Sequence, residues 1–170
     1  MADVNAVGTS DDDILIDDQN VEPAVEMVAK SDQSQATAGF IGIGDSRREK
    51  VLLVDDSATT RRIIKSLLKK LGYVNVVEAE DGGDGYQKLD GEQFDLVISD
   101  WTMNPVSGIE LVAKIRATEA VKDLPFIMVS TACSVEDVVR AKAAGVDAYI
   151  VKPFDAKSLH DKIKMATATR

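Results

Sequence analysis

From Lys50 onward, apolar runs of strand length alternate with longer stretches whose apolar residues recur at helical spacing. Val51-Leu52-Leu53-Val54 is unbroken apolar sequence, the pattern of a strand covered on both faces. Behind it, Ser57 is placed to cap a helix through Leu71, which Gly72 ends. Val74 to Ala79 alternates more and suits an edge strand, and Asp81 to Leu89 reads as a short helix weakened by Gly82, Gly83 and Gly85. Next come a strand over Phe94 to Ser99, a helix over Ser107 to Thr118 and a strand over Pro125 to Ser130. A helix over Val135 to Ala144, a strand over Ala148 to Val151 and a helix from Asp155 to about Ala166 complete the pattern. Strands and helices in strict alternation predict a parallel sheet with helices on both faces. Right-handed crossovers leave few ways to connect it. The expected fold is α/β, a doubly wound five-stranded parallel sheet in the order 2-1-3-4-5.

Residues 1–49 read differently. They are rich in Asp, Gln, Ser, Ala and Gly, show no sustained amphipathic period, and carry 11 acids against 3 bases. Too little apolar surface is available there to offset the entropy of ordering, so a disordered acidic extension is expected over 1–49 and one domain over 50–170. One apolar island framed by acids, Asp11 to Asp18, is read as a solvated acidic tail, with docking on a partner's basic groove or on the domain as the alternative. Residues 23–30 suit a short helix with Val25 and Val28 on one side. The arm is also a candidate competitor for the domain's output face.

The whole chain has a formal charge of −9, which argues against nucleic acid as partner, since phosphate binding needs clustered Lys and Arg. A single cysteine excludes an internal disulfide and suits a reducing compartment. No apolar run approaches the roughly 18 residues of a membrane span, and no signal peptide is evident. A cytoplasmic location without membrane insertion is expected.

The chemistry lies in the polar residues that close each apolar run. Strand one ends in Asp55-Asp56, strand three in Asp100, strand four in Ser130 and strand five in Lys152. In a parallel sheet these ends open on one edge, and order 2-1-3 puts the reversal point between strands one and three. Asp55, Asp56 and Asp100 are therefore expected to meet. Crowded carboxylates repel, and a hard divalent cation such as Mg²⁺ relieves this through oxygen ligands. Lys152 adds a compact charge on a flexible stem, and Ser130 a hydroxyl donor. Such a set can take up a phosphoryl group on a carboxylate, with the charge on its oxygens neutralised.

These residues resemble the response-regulator receiver family, and within it the CheY-like subgroup. The resemblance covers roughly Lys50 to Ala166 and rests on Val54-Asp55-Asp56-Ser57, Ala79-Glu80-Asp81-Gly82, Ile98-Ser99-Asp100-Trp101-Thr102-Met103, Met128-Val129-Ser130 and Tyr149-Ile150-Val151-Lys152-Pro153-Phe154. It implies a flavodoxin/CheY-like fold and a phosphoacceptor, Asp100, that attacks the phosphohistidine of a sensor histidine kinase in bacterial two-component signalling. It further implies Mg²⁺ held by Asp56 and Asp100, with Asp55 assisting and the Thr102 backbone carbonyl completing the protein ligands. Ser130 and Tyr149 would be the switch, Tyr149 turning inward, and Lys152 would clamp the phosphoryl group from beside a cis Lys152–Pro153 bond. The output face would be helix four, strand five and helix five, with Val146, Tyr149 and Val151. The domain would act as a monomer and as a binding switch, not an enzyme, engaging a protein target such as the flagellar motor switch in chemotaxis. A phosphate sink or phosphotransfer intermediate without its own target is the alternative. A phosphohydrolase is disfavoured, because Thr102 stands where that class places a second catalytic Asp.

The sequence departs from the family at a few points. Asn104 intervenes before Pro105, and Thr131 follows Ser130 where a smaller residue is usual, so either can restrict phosphorylation. Thr102 and Ala132 occupy the positions that tune hydrolysis, which predicts a long-lived phosphoryl group. Cys133 and His160 are read as structural or surface residues. Trp101 is read as packing beside the metal site, and Arg61 and Arg62 as an exposed charged face.

Overall fold

The computed structural model describes residues 47–131 and 134–169. The apolar-acidic island, the expected helix over 23–30, Ala132 and Cys133 lie outside the described residues.

Five strands and five helices alternate: β1 (Arg47–Val54), α1 (Ala58–Lys70), β2 (Tyr73–Ala79), α2 (Gly82–Gly91), β3 (Leu96–Asp100), α3 (Gly108–Ala117), β4 (Phe126–Ser130), α4 (Val135–Ala143), β5 (Ala148–Val151) and α5 (Ala156–Ala168). The sheet order is β2-β1-β3-β4-β5 and every pairing is parallel, as expected. Register aligns the strand ends. Val54 lies beside Ala79 and Ser99, Asp100 beside Val129, and Ser130 beside Val151. The residues that come after these positions emerge on one rim.

Alternation along β1 splits the core. Val51 and Leu53 pack with Ile64 and Leu68 of α1 and Leu159 and Ile163 of α5. Leu52 and Val54 pack on the other face with Leu89 of α2, Leu111, Val112 and Ile115 of α3, and Ala141 of α4. Each fully buried large side chain contributes roughly 1.5–3 kcal/mol by leaving water. The helix starts obey the sequence. Ser57 accepts from the Thr60 amide at 3.3 Å, Asp81 from Gly83 at 2.6 Å, and Asp155 from Ser158 at 2.8 Å. Ser107 and Glu110 form a reciprocal capping box. Gly72 comes after α1 with φ 91°, a left-handed turn that glycine adopts without strain.

β2 begins one residue early at Tyr73 and β4 one residue late at Phe126, and two strand starts differ from expectation by more. β1 begins at Arg47, because the Arg47 amide donates to the Gly72 carbonyl at 3.0 Å and its guanidinium lies 4.9 Å from the Tyr73 ring centroid. This places Arg47–Glu49 in the sheet. β3 begins at Leu96 and not Phe94. Asp95 instead clasps Lys50, its amide donating to the Lys50 carbonyl at 2.9 Å and its carboxylate accepting from the Lys50 amide at 2.7 Å. A side chain thus takes one ladder position.

Candidate functional site

The rim at the C-terminal ends of β1, β3, β4 and β5 gathers the expected side chains around Lys152. Its ammonium donates to Asp55 Oδ2 at 3.0 Å and to Asp100 Oδ1 at 2.5 Å. Asp55 is almost wholly buried and Asp100 is buried. The second oxygen of each is also engaged. Asp55 Oδ1 accepts from the Ser57 amide at 2.8 Å, and Asp100 Oδ2 from the Thr102 amide at 2.8 Å. Burial raises the Asp100 carboxyl above its ordinary value, with Asp55 adding to the rise and Lys152 opposing it. Burial also works against the Lys152 charge, yet hydrogen bonds to Asp100 and Asp55 outweigh it and raise the ammonium above the ordinary lysine value.

Asp56 does not join this pair. It is exposed, and among the described residues no three acidic, histidine or cysteine side chains converge as a ligand group. The expected meeting of Asp55, Asp56 and Asp100 is therefore realised as a buried pair bridged by Lys152, with Asp56 one residue outward. The physical reason is electrostatic: the ammonium supplies the positive charge that two close carboxylates require. The donor set still suits Mg²⁺, since Asp55, Asp56, Asp100 and the Thr102 carbonyl are all hard oxygen groups, and Asp56 and Thr102 are exposed.

Ser130 is buried at the end of β4, and its carbonyl accepts from the Lys152 amide at 2.8 Å, which ties two site residues through backbone. The Lys152–Pro153 bond is cis, as expected, and the Asn104–Pro105 bond is cis as well. Thr131, Asn104 and Pro105 are exposed. Tyr149 is already buried, standing edge-to-face with Trp101 at 6.2 Å between centroids. Arg140 of α4 lies 5.7 Å from the Trp101 ring centroid, so Trp101 joins the acceptor strand to α4. Val146 and Val151 are half-buried against the same cluster.

Two residues that shape the rim escaped the sequence reading. Arg61 is buried, not part of an exposed face, because it shares the sheet-facing side of α1 with Ile64 and Leu68; Arg62 is exposed as expected. The spacing 61, 64, 68 was the available signal. Arg61 Nη1 donates to the Asp55 carbonyl at 2.7 Å, and its Nε lies 3.1 Å from Glu78 Oε2. Gly108 is the other. A Cβ there would stand 2.1 Å from the Asp100 carbonyl oxygen, so only glycine lets α3 start against the acceptor strand. Its signal was a glycine directly behind the Ser107 cap. An open cavity of about 620 Å³, lined in part by Phe94, Asp95, Val121, Leu124 and Pro125, lies at the opposite, N-terminal rim. It holds none of the expected site residues.

A doubly wound sheet with a lysine-bridged acidic pair at its switch point defines a class, and the comparisons agree. The family model for the response regulator receiver domain matches residues 51–164, and the chain belongs to that family. Over 115 residues it is 44% identical to the "Chemotaxis protein CheY" of Pseudomonas aeruginosa, covering 68% of this chain and 93% of that one. It is likewise 44% identical over 121 residues to "Chemotaxis protein CheY1" of Helicobacter pylori, covering 71% and 98%. Among solved structures, chemotaxis response regulator CheY4 of Vibrio cholerae superposes with a TM-score of 0.65 at 34% identity, covering 69% of this chain and 98% of that one. The chain is thus a CheY-like receiver, a signalling module and not an enzyme. Among the described residues no helix is long and apolar enough to cross a membrane.

Proposed function

We propose that the domain is a phosphorylation switch in which Asp100 accepts a phosphoryl group from the phosphohistidine of a sensor histidine kinase. The supporting observation is the Lys152 ammonium held between Asp55 and Asp100 at the switch point of the sheet. A carboxylate oxygen of Asp100 attacks phosphorus, the O–P bond forms as the N–P bond of the donor breaks, and the imidazole leaves with the nitrogen electron pair. Asp55, Asp56, Asp100 and the Thr102 carbonyl would hold Mg²⁺, which would supply charge neutralisation at the phosphoryl oxygens. Lys152 exchanges its Asp100 contact for a phosphoryl oxygen, the Ser130 hydroxyl donates to another, and Tyr149 with its neighbours Val146 and Val151 reports the change on the α4-β5-α5 face. Chemotaxis is the setting that the relatives' names support; a flagellar motor switch protein is our proposed target. Pull-down in both phosphorylation states separates this from a phosphate sink, which retains no state-dependent partner.

The first test is intact mass after incubation with Mg²⁺ and a small phosphodonor, beside Asp100→Asn. One magnesium-dependent phosphoryl adduct, absent from the variant, is expected. An adduct of equal yield on Asp100→Asn removes the assignment.

A further inference from the structure

The neighbour of the acidic pair that the switch chemistry leaves unused is Arg61. It is only 8% exposed, a rare state for an arginine without several acceptors. It has three. Nη1 donates to the Asp55 carbonyl at 2.7 Å, Nε to Glu78 Oε2 at 3.1 Å, and Nη2 lies 3.5 Å from Glu80 Oε1. Glu78 and Glu80 belong to β2 and the turn after it, so the guanidinium links α1, the rim of β2 and the exit of β1.

The Asp55 carbonyl is the atom of interest. The ladders of β1 end at Val54, beside Ala79 and Ser99, and the Asp55 amide still donates to the Ala79 carbonyl at 3.1 Å. The Asp55 carbonyl lies past the last ladder position and points to Arg61. That carbonyl belongs to the same rigid peptide plane as the amide of Asp56. Fixing it fixes the rotation between one acid, buried and tied to Lys152, and the next, which is exposed.

We propose that Arg61 is a positioning residue for the acidic pair: it locks the peptide plane between Asp55 and Asp56 and so sets the angle at which the two carboxylates meet a divalent cation. This rests on the reading of the rim as a Mg²⁺ site. A guanidinium suits the task because its planar fork serves three acceptors at fixed angles, which an ammonium on a flexible stem does not. Glu78 and Glu80 balance its charge, so Arg61 orients the acids without adding net positive charge to the rim.

The test is a titration of the full chain with magnesium chloride, monitored by the fluorescence of Trp101, the sole tryptophan. Arg61→Lys is expected to weaken magnesium binding by about 10- to 100-fold, the range for residues that orient metal ligands. Arg61→Gln, which keeps a donor for the carbonyl but no charge, gives a second folded variant with a smaller loss. Glu78→Gln removes an ionic partner and leaves the carbonyl bond, and it keeps the unaltered affinity. The backbone amide resonance of Asp56, recorded without metal, moves in Arg61→Lys and stays in Glu78→Gln. Folded Arg61 variants with unaltered magnesium affinity overturn the proposal. So does an equal loss in Arg61→Lys and Glu78→Gln, which marks a merely structural role. If the unaltered protein binds no magnesium, the reading of the rim fails by itself. The Asp56 amide then decides: a shift in Arg61→Lys upholds the positioning role, and no shift overturns it.

Discussion

Helices α1 and α4 are both amphipathic and charged, yet the fold holds them very differently. α1 buries Arg61, Ile64 and Leu68 and anchors Asp55 through a guanidinium. α4 buries only Ala141 and leaves Val135 and Val139 exposed, at 51% and 57%. One side of the rim is therefore built as a fixed mount for the acids. The other, which comes after Ser130, is attached by one small buried side chain, the half-buried Val138 and the stacking of Arg140 on Trp101. Local stability depends on buried apolar contact, so α4 is expected to yield before α1.

Substitutions can break this contrast. Leu68→Ala, in the fully buried part of α1, is expected to cost about 2–5 kcal/mol in urea unfolding, from lost transfer energy and the cavity left behind. Val139→Ala on α4 stays within about 0.5 kcal/mol by the same measurement. A large loss at Val139 would show that α4 is packed as firmly as α1.

A finer test uses pH. Hydrogen bonding from Lys65, and secondarily from Arg61, holds the Glu78 carboxyl below its ordinary value of 4.5. A carboxyl lowered in the fold stabilises it above the unfolded value and loses that effect as pH falls through the folded one. Glu78→Gln is therefore less stable than the unaltered chain at neutral pH, by a small margin for a solvent-screened pair. The margin closes as pH falls below 4.5, which urea midpoints at successive pH values record. No equivalent change is expected for substitutions on the exposed valines of α4.

The sequence made the sheet legible because its central strands are apolar on both faces and each is closed by a polar punctuation mark. Asp55, Asp100, Ser130 and Lys152 were placed by that punctuation alone. Helix phase was harder. Arg61 and Arg62 look alike as neighbours, and only the turn of α1 decides that one faces Ile64's side and the other faces water. The exposure of Asp56 was also hidden, since two adjacent residues leaving a strand point in opposite directions. That Lys152, 52 positions beyond Asp100, would pair with a carboxylate was legible from its place on the rim; that it bridges Asp55 and Asp100 together was not.

The contact between Gly108 and the acceptor strand reaches beyond this molecule. Every amino acid other than glycine brings a Cβ, and that atom would have to occupy space 2.1 Å from the Asp100 carbonyl oxygen. In terms of inheritance, a base change in this codon that is not silent is expected to cost the packing of α3 on β3. For the fold alone, the exposed valines of α4 carry no such steric constraint, while position 108 is held to glycine.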